Sequence, residues 1–551
     1  MIHIRHRLVT QKSSYLAFSS RNYRELSKGC FVESAVPEGY KDTPLVISGE
    51  TLAQCIYTSG MFAPPALCSG LGRCGLCRVR FISEAPASLQ AEEEALSHHD
   101  LENGWRLACR HTPQPGMHVL VPALPFADEE SRTKMHAAQV ESAHAGLAVD
   151  LGTTSVCWRQ TPLEEESFPQ YAEGGMTNPQ MGAGSDVISR LAFAAQENGA
   201  HTLQRLIINT LRRTLHALPT HPKELCIAAN PAMTAILLGK KTDGLAHAPY
   251  TLEYRGHAVE NVPGLPPVYI PPLIAPFIGG DVSAGYAALA LDPERSVPKF
   301  PFLLADLGTN GECVLALSPT EALAASLPMG PALEGINLAF GSQAVPGAIT
   351  AYTLTPYGLA PTILDNASPV GITGTGYLSL LRSLRASGLI DASGLFTPPG
   401  GPPPLAQRIG NATQEEQEEP RLRLPEKMAL YASDIEEILK VKAAFTVTVS
   451  GLLRAAELPA SKLQAVFLAG ALGSHAPLAA IFDLGFLPPA VNGKITAAGN
   501  TSLAGAALFL THRQSREKAR LWSEAVTPIG LAEAPAFEKL FTEHMAFRWL
   551  P

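Results

Sequence analysis

Two apolar segments of the chain share one construction, a run typical of a buried strand that ends in Asp-Leu-Gly-Thr and is followed by a second apolar run. The first is GLAVDLGTTSVCW, with Asp150 before the turn, and the second is FLLADLGTNGECVLAL, with Asp306 in the same place 156 residues later. One Asp-Gly turn is common in hairpins and would indicate little. Two copies a domain's length apart predict an internal duplication.

The N-terminal part of the chain shows a different pattern. GETLAQCIYTSGM predicts a turn and a short amphipathic helix, CRVRFIS alternates as a strand does, and HVLVPAL predicts a closing strand. The polar stretch 126–145 predicts a linker between a domain over 31–125 and a larger one over 146–551. Residues 1–30 are expected to form a tail, because their start lacks acidic residues and the apolar core of a secretory signal; a transit peptide and an over-long gene start are alternatives.

Composition excludes several classes of protein. The chain has 551 residues, of which 46 % are apolar and 17 % charged, so it has ample material for several packed cores. A net charge of −8 does not favour nucleic acid or anionic lipid, and no apolar run reaches the roughly 18 residues of a membrane span. Nine cysteines are too few for a disulfide scaffold. We expect a soluble, cytoplasmic, multidomain protein with no nucleic-acid or membrane partner.

Four of the cysteines form an array near the N-terminus. Cys68, Cys74 and Cys77 have the spacing C-x5-C-x2-C, and Cys109 follows after 31 further residues. Glycines in the close trio leave the backbone free to fold around a bulky ligand. Three ligands from one loop and a fourth from far away are typical of a [2Fe–2S] ferredoxin, whereas zinc, the alternative, usually takes two close pairs. Residues 31–125 therefore resemble a ferredoxin β-grasp domain, with a loop closer to the adrenodoxin type than to the plant type.

The duplicated turns offer backbone N–H groups and hydroxyls to phosphate oxygens. Asp150 and Asp306 are placed to hold Mg²⁺ or to orient a water molecule. A third element, AVFLAGALGSHAP, ends a strand in small residues against which a nucleoside can lie. The candidate nucleotide-binding residues are Gly152, Thr153, Thr154, Gly308, Thr309, Asn310, Gly470 and Gly473.

These three pieces resemble phosphate 1, phosphate 2 and adenosine of the ASKHA superfamily of acetate and sugar kinases, heat-shock chaperone ATPases and actin. The resemblance implies a multidomain chain of α/β and α+β class. A [2Fe–2S] ferredoxin domain would precede a two-lobed ASKHA ATPase domain, with lobes at about 146–300 and 301–530.

Several stretches are similar to the reductive activators of corrinoid-dependent enzymes, a family of ferredoxin–ASKHA fusions. The similar stretches are NPQMGAGSDVISRL, PFIGGDVSAG, ADLGTNGE, GPALEG, GITGTGYLSLL, LKVKAAF, FLAGALGS and GNTSLAGA. The resemblance implies ATP-dependent reduction of a corrinoid protein from Co(II) to Co(I), with the [2Fe–2S] cluster passing one electron. It also implies ATP with Mg²⁺ as a cofactor, a corrinoid protein or methyltransferase and a low-potential electron donor as partners, and leaves a homodimer open.

Two departures from the family pattern and three rival functions accompany this interpretation. Ala229–Met233 read ANPAM where relatives have a GNTTM-like turn, and only about 20 residues stand where many relatives insert a small domain. The rivals are a small-molecule kinase with a fused redox module, a non-catalytic electron-transfer or chaperone-like module, and an activator of 2-hydroxyacyl-CoA dehydratases. The last ranks low because Cys157, Cys226 and Cys313 lack its arrangement and are expected to be core thiols.

Overall fold

The computed structural model describes most of the chain with several gaps. The described residues are 2–7, 40–45, 49–65, 67–68, 70–72, 74–82, 84–122, 145–163, 172–218, 220–308, 310–397, 413–414, 420–470, 477–531 and 536–550. The predicted linker over 126–145 lies outside them except for its last residue.

The N-terminal domain is a five-stranded sheet in the order β2-β1-β5-β3-β4 with three short helices. Its strands are β1 (Ile2–Arg7), β2 (Tyr40–Leu45), β3 (Arg78–Phe81), β4 (Trp105–Leu107) and β5 (His118–Leu120). Its helices are α1 (Leu52–Thr58), α2 (Gln90–Ala95) and α3 (His98–Glu102). A capping box starts α1, since Thr51 accepts from the Gln54 N–H and the Gln54 side chain accepts from the Thr51 N–H.

The expected N-terminal tail is wrong for residues 2–7. Strand β1 is an inner strand of the sheet and pairs antiparallel with β2 and parallel with β5. The alternation IHIRHR is the pattern of a half-buried strand, and its partners lie about 40 and 115 residues further along the chain. The N-terminal domain therefore includes the beginning of the chain.

The first lobe of the larger domain is built on a six-stranded sheet. Its strands are β6 (Ala145–Leu151), β7 (Ser155–Pro162), β8 (Glu173–Thr177), β9 (Glu224–Ala229), β10 (Ala258–Glu260) and β11 (Val268–Ile270). Its helices are α4 (Val187–Ala194), α5 (Gly199–Ala217), α6 (Pro231–Leu238), α7 (Asp243–Ala246) and α8 (Gly280–Ala290). Strands β8, β7 and β6 are antiparallel neighbours, and β9 and β11 continue the sheet parallel to β6.

The second lobe repeats this plan. Its strands are β12 (Phe302–Leu307), β13 (Asn310–Ser318), β14 (Glu321–Pro328), β15 (Ala348–Thr355), β16 (Gly358–Ile363), β17 (Gly371–Ile372), β18 (Thr413–Gln414), β19 (Arg421–Arg423), β20 (Ala429–Tyr431), β21 (Ala465–Ala469), β22 (Ile495–Gly499) and β23 (Val526–Pro528). Strands β14, β13 and β12 are antiparallel neighbours, and β21 and β22 continue parallel to β12. Because both sheets share this order, the duplication expected from the two turns is present in the fold.

The remaining helices come after residue 370, and one of them returns to the first lobe. They are α9 (Gly374–Ser387), α10 (Ala432–Ala455), α11 (Leu478–Asp483), α12 (Thr501–Thr511), α13 (Gln514–Ala525) and α14 (Phe537–His544). Helix α12 packs on α8 and on the first sheet, so closely that a Cβ at Gly505 would lie 1.9 Å from the Ala284 carbonyl oxygen. The predicted second lobe, about 301–530, is thus wrong for α12, which completes the first lobe.

The described helices include none that is long and apolar enough to cross a membrane.

Candidate functional site

The four cysteines of the array line one cavity of about 400 Å³. They form no disulfide, and hydrogen bonds join Cys68 with Cys74 and Cys77 with Cys109. Hydrogen bonding within the pairs, followed by burial, raises the pKa of Cys74 and of Cys77 above the ordinary thiol value. Two pairs of thiols fit a cluster in which each of two iron atoms takes two cysteines.

A mononuclear zinc site needs four ligands around one centre. Within the described ranges, no group of three or more His, Cys, Asp or Glu side chains is arranged to hold a single ion.

Glu92 holds the segment that carries the fourth cysteine, a role that sequence reasoning missed. This carboxylate is fully buried, accepts the Leu107 N–H at 2.7 Å and lies 2.8 Å from His111 Nε2. Burial acts to raise the pKa of Glu92, but the hydrogen bonds outweigh it and the pKa is lowered. The anchored positions flank Cys109 on both sides, so Glu92 positions its thiol.

The turn of Gly152, Thr153 and Thr154 follows β6 and is held from two directions; it is named the first phosphate turn, and the turn after Asp306 the second, for the role that their sequences predict. The Asp150 carboxylate accepts hydrogen bonds from Asn500 Nδ2 at 2.7 Å and from Ser502 Oγ at 2.9 Å, both at the start of α12. Thr153 Oγ1 accepts from Asn230 Nδ2 at 3.0 Å. Asn230 also caps α6. The ANPAM turn, although it differs from the GNTTM-like turn of relatives, therefore contacts the first phosphate turn through its asparagine.

The second phosphate turn follows β12 and lies against the third predicted element. A Cβ at Gly470 would lie 2.1 Å from Asp306 Oδ1, and the backbone of Gly470 has a φ of +83°. Glycine is therefore required where β21 ends beside the Asp306 carboxylate.

Several carboxyl groups lie between the two turns, of which Glu312 is buried and Asp150, Asp281, Asp306 and Glu334 are partly buried. The charge of Asp150 acts on Asp281, and those of Asp150, Asp281 and Glu334 act on Asp306. Burial first, and these like charges second, raise the pKa of Asp306 to about 8. Burial raises the pKa of Asp281 to about 7 and that of Glu312 well above its ordinary value. Such a concentration of acid is the environment that a divalent cation neutralises, with phosphate and water as further ligands.

The predicted site residues are thus divided between two places. Gly152, Thr153 and Thr154 form the first turn, whereas Gly308 and Asn310 flank the second. Thr309 and Gly473 lie outside the described residues. The contributors that sequence reasoning missed are Asp281, Glu312, Glu334, Asn500 and Ser502. All of them lie in the stretches that carry the family resemblance, which is the signal that could have found them.

Three protein families match consecutive parts of the chain. Residues 39–114 match the 2Fe-2S iron-sulfur cluster binding domain. Residues 145–294 match the RACo middle region, and residues 301–549 match the C-terminal domain of RACo, the ASKHA domain.

Proteins similar to this chain include one from Eubacterium limosum and one from Methanosarcina barkeri. RamQ of Eubacterium limosum, a corrinoid activation enzyme, is 25 % identical over 421 residues, which are 73 % of this chain and 70 % of RamQ. The [Co(II) methylated amine-specific corrinoid protein] reductase of Methanosarcina barkeri is 26 % identical over 421 residues, 68 % of this chain and 71 % of the reductase. A solved reductive activator for corrinoid, iron-sulfur protein shares the fold, with a TM-score of 0.62 at 21 % identity over 93 % of this chain and 97 % of that one.

Proposed function

We propose that this chain, which belongs to the family of reductive activators of corrinoid-dependent enzymes, reduces a corrinoid protein from Co(II) to Co(I) in a step coupled to ATP. One observation carries the proposal. The cavity of the four cysteines is bordered on its far side by Met181–Gly184 of the lobe that carries the first phosphate turn. An electron-transfer site and a nucleotide cleft thus adjoin within one chain.

The cysteine cavity is the electron-transfer end of this proposal. A bound [2Fe–2S] cluster supplies single electrons, taken from a low-potential donor and passed to Co(II), which becomes Co(I). Cys68 and Cys74 would hold one side of the cluster, and Cys77 and Cys109 the other. Glu92 anchors Leu107 and His111 on either side of Cys109, which would hold the fourth thiol in place.

The cleft is the energy-supplying end. The turn of Gly152, Thr153 and Thr154 would donate to one phosphate, and the turn after Asp306 to another. Asp150 and Asp306 would hold Mg²⁺, directly or through water. The cation would stabilise their ionised forms, which burial disfavours. The two lobes share a plan and meet at this cleft, so closure around nucleotide provides two states of the protein.

ATP drives an uphill reduction only if the two states differ in affinity for the Co(II) partner. We propose a corrinoid protein or corrinoid-dependent methyltransferase as that partner. The similar proteins support this choice, since one of them is a reductase of a methylated amine-specific corrinoid protein.

The experiment mixes the cluster-loaded protein with a corrinoid protein held as Co(II), Mg-ATP and a chemical reductant, and follows the Co(I) absorption band. We expect the band to grow only when ATP is present. The matched variant Asp306→Ala should produce no Co(I) and no ADP while its cluster absorption stays unchanged.

The rival functions give other outcomes in the same assay. A small-molecule kinase would release ADP with a small acid or sugar and ignore the corrinoid protein. A non-catalytic module would bind nucleotide without turnover. Full Co(I) formation by Asp306→Ala would overturn the assignment of that carboxylate.

A further inference from the structure

The far wall of the cysteine cavity is a short 3-10 helix, Pro179–Ala183, together with α4. This helix packs directly on α1 of the N-terminal domain. A Cβ at Gly182 would lie 2.4 Å from the Cβ of Tyr57, so the two backbones meet with no space for a side chain. Movement of the 3-10 helix would therefore move one wall of the cluster cavity.

The same helix is tied at its start to the first phosphate turn. Asn178, fully buried, donates its N–H to the Thr154 carbonyl at 2.8 Å and its Nδ2 to the Gly152 carbonyl at 2.7 Å. Its Oδ1 accepts the Gln180 N–H at 2.9 Å. The residue that caps the 3-10 helix thus bonds to both ends of the turn.

Arg190 on α4 makes the second connection. Its guanidinium is fully buried and donates to the Thr153 carbonyl from one nitrogen and to the Gly184 carbonyl, at 3.0 Å, from another. Both acceptors are neutral backbone oxygens, one in the phosphate turn and one in the cavity wall. A planar guanidinium holds several acceptors in fixed relative positions, which a lysine ammonium does not.

Burying a charged guanidinium costs free energy, which its hydrogen bonds and nearby charges must offset. Burial lowers the pKa of Arg190, while the charges of Asp186 and Glu334 act in the opposite direction. Glu334 belongs to the second lobe, so this guanidinium is exposed to the field of both lobes.

We propose that Arg190 is a positioning residue that links the first phosphate turn to the wall of the cluster cavity, so that nucleotide binding changes the reduction potential of the cluster. The inference rests on the proposed function and specifies how nucleotide binding in the cleft would affect the cluster in the cysteine cavity. Phosphate bound at Thr153 shifts the Thr153 carbonyl, to which Arg190 donates. Because Arg190 also donates to the Gly184 carbonyl, the 3-10 helix moves with it. The carbonyl dipoles and solvent access that tune a cluster's potential then change.

The test is a redox titration of the cluster-loaded full chain, followed by electron paramagnetic resonance, with and without saturating Mg-ADP or a non-hydrolysable ATP analogue. No corrinoid protein is present. The midpoint potential of the unmodified protein should shift when nucleotide binds. The shift should be lost in Arg190→Gln and in Arg190→Lys, which keeps the charge but cannot span both acceptors.

Two further variants keep the result decisive. Gly182→Ala forces α1 away from the 3-10 helix, leaves the phosphate turn intact and should abolish the shift at unchanged nucleotide affinity, even if Arg190→Gln binds nucleotide poorly. Arg212→Gln, on the exposed face of α5, should keep the full shift. A full shift in Arg190→Lys or Gly182→Ala, or none in the unmodified protein, would overturn the proposal.

This outcome is separable from that of the activation assay. A protein that forms Co(I) with ATP but whose cluster potential ignores nucleotide disproves the link through Arg190 and leaves the proposed function standing. A nucleotide-dependent potential without Co(I) formation supports the link and disproves the function.

Discussion

The two phosphate turns share a sequence and a place in their sheets, and burial raises the pKa of both leading carboxyl groups, yet the partners of these groups differ. Asp150 accepts two hydrogen bonds from the start of α12, from Asn500 and Ser502. Asp306 faces the backbone of Gly470 and the like charges of neighbouring acids, which together with burial raise its pKa to about 8. The duplicated turns therefore have the same backbone plan but differ in the electrostatic surroundings of their carboxyl groups.

The difference assigns the carboxylates different work. A carboxylate held by two donors is already fixed and needs no other partner to stay in place. One crowded by acids is stabilised only when a cation or a proton neutralises it. We therefore expect Asp150 to link α12 to the first turn in addition to its part in the Mg²⁺ site, and Asp306 to depend on Mg²⁺ more strongly.

Asp306→Ala is expected to have the largest effect. Loss of the cation-dependent carboxylate should lower ATP turnover by about 100-fold or more, the scale on which removal of one charge-stabilising group acts. Phosphate release at saturating ATP measures it. Glu321→Gln, an exposed acid of the same lobe, should turn over normally, and near-normal turnover of Asp306→Ala would show that the second turn does not carry the metal.

In the absence of nucleotide, alanine substitutions of the two leading carboxyl groups should change the free energy of unfolding in opposite directions. Asp150→Ala leaves the donors of the part-buried Asn500 and the buried Ser502 without their acceptor and should lower the free energy of unfolding by about 1 to 3 kcal/mol. Asp306→Ala removes a part-buried carboxyl group whose ionised form its surroundings disfavour, and should raise the free energy of unfolding by a similar amount. Denaturant titrations of both variants measure the difference, and a loss of stability in both would mean that their surroundings are equivalent.

Local features of this comparison were predictable from the sequence, and contacts across the chain were not. The turns, the strands beside them and the cysteine array follow from short patterns around Asp150, Asp306 and Cys68. Asn500 reaches Asp150 across 350 residues, and no local pattern reports such a contact. The same reason explains why β1 was expected to be a tail. Its alternation was visible in IHIRHR, but its partners were not.

The pH dependence of stability tests the surroundings of Asp306. The pKa of Asp306 is about 8 in the folded protein against an ordinary 3.8, so the folded state holds more protons between these values. Stability from this group is complete below the ordinary pKa and is lost as pH rises through about 8. Without nucleotide, unfolding free energies at pH 5.5 and pH 8.0 should fall more steeply with pH in the unmodified protein than in Asp306→Ala. Equal slopes would contradict the crowded environment of Asp306.

The smallest expected effect tests the extra support of the first turn. Asn230→Ala removes the donor to Thr153 and the cap of α6, so the KM for ATP should rise about 3- to 10-fold, the equivalent of one hydrogen bond. Stability should fall by about 1 kcal/mol from the lost cap. Asn230→Ser can still cap the helix but is too short to reach Thr153, so it should recover the stability and keep the raised KM. Recovery of both by serine would mean that the first turn needs only the helix cap, and that its bond to Asn230 does not contribute to nucleotide binding.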